Sequence, residues 1–179
     1  MTDDTTNDPG ASGAEPGWRT PVRIDGPTDP AAARCHLVVG FDRHPASHAA
    51  LGYAIDLAGR LDAFLHVAHV IDTDDLPIDP DSAYWEQTIT DSIEHDRRDA
   101  CARLEHAPGP WAYYSRPSRP AQVLTGLADT HDAEMIIIGA ARGGLVALLH
   151  RLSGESVSTH LIHHAQRPIL LVPEATAPR

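Results

Sequence analysis

Between Glu134 and Gly144 an uninterrupted apolar run, Met135-Ile136-Ile137-Ile138, stops at Gly139 and is followed by Gly143-Gly144, which reads as a buried strand cut off by glycines. Farther on, Ser153-Gly154-Glu155-Ser156 is a hydroxyl-rich helix start, and Ile169-Leu170-Leu171-Val172 is a second apolar run. A glycine loop leading into a helix N-terminus presents unpaired backbone N–H groups and the positive end of the helix dipole, which attract phosphate or carboxylate. The chain therefore points toward a small-anion or nucleotide site.

The same alternation extends upstream. His36-Leu37-Val38-Val39-Gly40-Phe41 is a strand ending at Asp42, and Pro45 follows where a helix can begin. Ala50, Leu51, Ala54, Ile55, Ala58 and Leu61 recur at helical spacing, and Phe64–Ile71 is a second strand. A helix is expected from Tyr84 to His106, broken by Pro108-Gly109-Pro110, then a weak third strand over Trp111–Tyr114. Ser118 is the expected N-cap of a helix carrying Val123, Leu124, Leu127 and Ala128 on one face. A last helix from about Gly154 to Ala165 precedes the fifth strand. Strands alternating with helices imply a doubly wound parallel α/β sheet with right-handed crossovers, whose ligands sit beyond the carboxyl ends of the strands. Asp42 and Gly139 both lie at such ends.

The 179 residues suit one domain. Residues 1–35 are rich in Asp, Thr, Gly, Pro and Ala with almost no large apolar side chain, and are expected to be a disordered tail; 175–179 form a second short tail. Neither a signal peptide nor a run of 18 apolar residues occurs, so a soluble, cytoplasmic protein is expected. Cys35 and Cys101 lack CxxC spacing and read as reduced thiols. The net charge of −11 is concentrated between Asp72 and Asp99, where ten acids face two arginines, which disfavours nucleic acid or an anionic membrane as partner. Every basic side chain is arginine. That removes a P-loop lysine, a Schiff-base lysine and a kinase strand lysine together.

Residues 36–174 resemble a universal stress protein domain. The resemblance rests on Val38-Val39-Gly40-Phe41-Asp42, Pro45, Ala49-Ala50-Leu51, His66-Val67-Ala68-His69-Val70 and Pro120-Ala121. It is strongest from Ser156-Val157-Ser158 through His164-Ala165 and in Arg167-Pro168-Ile169-Leu170-Leu171-Val172-Pro173. It implies a five-stranded parallel sheet of order 3-2-1-4-5 with helices on both faces, of the adenine-nucleotide alpha-hydrolase-like kind, and homodimers paired through the fifth strand. It also implies a non-catalytic stress-response module that binds ATP or AMP, with no metal beyond nucleotide-associated magnesium. Carried over by position, Asp42 meets the adenosine end and the backbone of Val70 lies against the base. Gly139, Gly143, Gly154 and Ser156 approach the phosphates, and Arg142 and Arg151 can pair with them.

Nucleotide-binding members carry a glycine, two residues, a glycine, nine residues, then glycine with Ser or Thr. Here Gly139 and Ser156 match, Arg142 stands at the second glycine, Gly143 and Gly144 fall late, and Glu155 replaces the last glycine. A carboxylate in a first helical turn can occupy the free N–H groups itself. Two readings follow: a weakened nucleotide site, or a structural loop in a nucleotide-free, dimeric interaction module that uses its acidic helix and tail on a protein partner. Asp42 likewise has an ordinary role open to it, capping the turn before Pro45.

Other chemistries fare worse. Gly154-Glu155-Ser156-Val157-Ser158 resembles a nucleophile elbow but lacks a strand before it and room after it for the remaining triad members. His160 and His164 share a helical face without further ligands on that helix, and His66 and His69 fall on opposite faces of their strand, so no metal site is expected. The Asp72–Asp81 stretch lacks the glycine and closing glutamate of an EF-hand loop.

Overall fold

The computed structural model describes residues 17–72, 84–140, 161 and 165–174. Six strands, β1 (Val22–Asp25), β2 (Cys35–Phe41), β3 (Ala63–Ile71), β4 (Trp111–Pro117), β5 (Met135–Gly139) and β6 (Ile169–Val172), form one sheet of order β1-β4-β3-β2-β5-β6. Helices α1 (Pro45–Leu61), α2 (Trp85–Leu104) and α3 (Pro120–Thr130) connect them. All pairings are parallel except β1 with β4. Numbered in chain order, the five parallel strands run 3-2-1-4-5, as expected.

Strand alternation sorts the core into two layers. Leu37, Val39, Phe41, Leu65, Val67, Tyr113 and Ile137 pack with α1 and with Ala100 and Leu104 of α2. Val38, Ala68, Ile136 and Ile138 pack on the other face with α3 and Leu161. Pro45 opens α1, as the sequence indicates. The same helix ends on Asp62 in the left-handed region, φ 52°, a position where glycine is the commoner choice.

Two expectations need correction. The sheet has a sixth strand, and it comes from the segment read as a disordered tail. Val22–Asp25 pairs with the edge that β4 would otherwise leave open, and Gly26 lies so close to the Trp111 indole that an added Cβ would sit 2.6 Å from it. Just upstream, Trp18 is buried against Ile71 and Ile89. One tryptophan and a four-residue strand suffice because an unpaired sheet edge supplies the partner, which a composition count cannot register. The second correction is local: Arg119, not Ser118, is the N-cap of α3, since the Ser118 N–H still bonds Ile71 O at 3.1 Å in the strand-end turn. The expected last helix lies outside the described residues apart from Leu161 and Ala165. Cys35 and Cys101 are unbridged.

Candidate functional site

The chain order reverses at β2, which has β3 on one side and β5 on the other. The register Phe41↔His69 sets Asp42 level with Val70, and Val39↔Ile137 brings β5 to its end at Gly139 beside Phe41. Three of the expected site residues thus meet at the carboxyl end of adjacent parallel strands, where such sheets hold ligands. Arg142, Gly143, Gly154 and Ser156, together with Glu155 and Arg151, lie outside the described residues.

A serine that the sequence reading passed over ties this end together. The buried Ser47 hydroxyl accepts from the Asp42 N–H at 2.8 Å and donates to Gly40 O at 3.3 Å. Its backbone lies under Gly139, where an added Cβ would stand 2.6 Å from Ser47 N and from Ala46 C. Gly139 is therefore demanded by the approach of the α1 start to β5, with or without a ligand. A hydroxyl two residues after Pro45, at the opening of a helix, was the available signal. Asp42 does take the turn role: its Oδ1 accepts from the His44 N–H at 2.8 Å and lies 3.1 Å from His44 Nδ1. Yet its side chain remains 54% exposed, so the carboxylate still reaches solvent.

The acids of α2 are largely engaged within the protein. Glu94 pairs with Arg97 and Arg98, Asp99 with Arg103 and His48, and Asp96 lies 3.7 Å from His69 Nε2. This leaves less free negative charge for a protein partner than composition implies. A groove of about 330 Å³ between β4 and α3, lined by Tyr114, Arg116, Gln122, Val123 and Leu127 among others, contains none of the expected site residues.

His66 and His69 do lie on opposite faces. His69 Nδ1 is 2.8 Å from Tyr113 Oη, and His66 Nδ1 is 3.1 Å from Tyr114 Oη. Burial, reinforced by His131, His36 and Arg23, pushes His66 down to about 3. Burial also lowers His69, against the opposing pull of Asp96 and Asp42. Both imidazoles therefore take up protons first in the unfolded chain. Their contribution is complete above about pH 6.5 and is lost as pH falls below it, at up to about 1.4 kcal/mol per unit for His66 alone. Urea midpoints measured with EDTA at pH 7.5 and 5.5 should show that slope, and His66→Phe should flatten it; equal slopes in both proteins would contradict it.

Residues 35–173 match the family model described as Universal stress protein family. The chain belongs to that family. Solved structures agree on the fold. Universal stress protein UspA from Lactobacillus plantarum is 17% identical with a TM-score of 0.60, over 79% of this chain and 99% of that one. A universal stress protein in complex with cAMP is 24% identical, TM-score 0.57, over 80% and 99%. A family member from Arabidopsis thaliana with AMP bound is 11% identical, TM-score 0.54, over 79% and 92%. No curated protein matches the chain. Among the described residues no helix is long and apolar enough to cross a membrane.

Proposed function

We propose that this universal stress protein family member is a non-catalytic stress-response module that binds an adenine nucleotide, ATP or AMP, in the crevice beyond β2, β3 and β5. The observation that carries this reading is the meeting of Asp42, Val70 and Gly139 at the switch point of the sheet. Asp42 is assigned to the adenosine end and the Val70 backbone to the base. Gly139, Arg142, Gly143, Gly154 and Ser156 are assigned to the phosphates. The family structures solved with cAMP and AMP support the ligand class. Magnesium enters only with the nucleotide. In this reading the bound nucleotide is held rather than turned over.

Glu155 weakens the site. Millimolar ATP or AMP is expected to raise the melting temperature only slightly. A ligand at its dissociation constant stabilises by about 0.4 kcal/mol, against about 4 kcal/mol at a thousandfold excess. The fifth parallel strand, β6, stands at the sheet edge with Ile169, Leu170, Leu171 and Val172 all part-exposed, which supports pairing of two copies there. Native mass spectrometry of the untagged protein tests both statements: a dimer that takes up ATP is expected, and a monomer that takes up none at millimolar ATP would overturn them.

A further inference from the structure

Three histidines far apart in sequence converge at the opposite end of the sheet. His36 is the second residue of β2 and His66 the fourth of β3; the register Val38↔His66 puts both on the α3 face. His131 is the C-cap of α3. His36 Nδ1 and His66 Nε2 are 3.0 Å apart, and the His131 ring stacks on His66 with centroids 4.0 Å apart. One ring nitrogen from each of the three lies within 4.8 Å of the others. The ring nitrogens of His131 make no hydrogen bond to the described residues.

We propose that His36, His66 and His131 bind a divalent first-row transition cation, with Zn²⁺ as the reference ion. Tetrahedral zinc with bonds of about 2.0–2.1 Å sets its ligand nitrogens roughly 3.3 Å apart, so the His131 ring must turn off the His66 face and nitrogens now within 4.8 Å of one another must draw closer for the three lone pairs to converge. The His36–His66 pair is already at 3.0 Å; when the cation enters, the proton between the rings moves to the other nitrogen of His36, which becomes the Nε2–H tautomer, and both rings turn their lone pairs to the metal. Three imidazoles without a carboxylate select zinc, copper or nickel and reject magnesium and calcium. Water fills the fourth position. Tyr114 is the positioning residue: its hydroxyl lies 3.1 Å from His66 Nδ1, and in the Nδ1–H tautomer it accepts that proton and leaves the Nε2 lone pair for the metal. Arg23, whose charge acts on His66, stacks over the Tyr114 ring at 5.5 Å and is paired with Asp25 at 2.7 Å, which offsets part of that charge. Six residues separate His36 from Asp42 along β2, or about 20 Å at 3.3 Å per residue, so this site is separate from the nucleotide crevice.

The test is calorimetric titration of the untagged, chelator-stripped full-length protein with ZnCl₂, and with MgCl₂ in parallel. One zinc per chain and no magnesium are expected. His36→Ala and His131→Ala, both at part-exposed positions, should each lose more than the roughly 10- to 100-fold that an outer-shell change costs, and Tyr114→Phe should lose about that much. A variant lacking His160 and His164 should bind as wild type does. Cobalt substitution should give the strong visible bands of a four-coordinate site, absent in His131→Ala. No zinc binding by the wild type would overturn the proposal, as would undiminished binding in folded His36→Ala and His131→Ala.

Discussion

Gly139→Ala is expected to destabilise the protein by about 3 kcal/mol with no nucleotide present, at the upper end of what overpacking costs. The added Cβ would stand 2.6 Å from Ala46 C and Ser47 N and 2.8 Å from Ala46 O, all backbone atoms of the first turn of α1. A side chain could swing away, but a helix start held by Pro45 and by the Ser47 hydroxyl cannot. For a chain of 179 residues the loss corresponds to a melting temperature about 6–12 °C lower. The urea midpoint should fall with an unchanged m-value. Wild-type stability in the variant would mean that this glycine serves only a ligand, and that the packing of β5 on α1 is looser than described.

The other large effect is expected from Glu155→Gly, which restores the last glycine of the family's motif. A carboxylate about 4 Å from a phosphate repels it by ~1 kcal/mol per unit charge at the dielectric of water and by ~4 kcal/mol at values typical near a protein surface. Removing it should tighten ATP binding by roughly fivefold to a thousandfold. AMP, with less negative charge, should gain less than ATP. Calorimetric titration of both proteins with both nucleotides measures this. Equal ATP affinity in wild type and variant would remove Glu155 from the account of the loop.

Much of the fold was legible because periodicity and punctuation agree. Gly40 and Phe41 before Asp42 and Pro45, the apolar run into Gly139 and the Arg167-Pro168 entry to β6 each mark a boundary that the structure keeps. What escaped was long-range. The pairing of Val22–Asp25 with β4 depends on an open edge that no local pattern announces. The meeting of Asp42, Val70 and Gly139 was legible because parallel strands in doubly wound order must bring their carboxyl ends together. Its reasons were not. Gly139 looked like a phosphate glycine and also answers to the backbone of α1, and Asp42 both closes a turn and faces solvent. The histidine cluster was invisible for a related reason: His36, His66 and His131 share no spacing, and only the register of β2 on β3 and the end of α3 assemble them. Spacing along one element, the kind weighed for His160 and His164, cannot register such a convergence.

The claim on which the functional reading depends is that an adenine nucleotide enters beyond the carboxyl ends of β2, β3 and β5. Amide correlation spectra of ¹⁵N-labelled protein titrated with ATP test it most directly. The account predicts progressive shifts at Asp42, Val70 and Gly139, with His36, His66 and His131 at the far end of the sheet unmoved. Shifts confined to other surfaces, or none at millimolar ATP in either the wild type or Glu155→Gly, would contradict it.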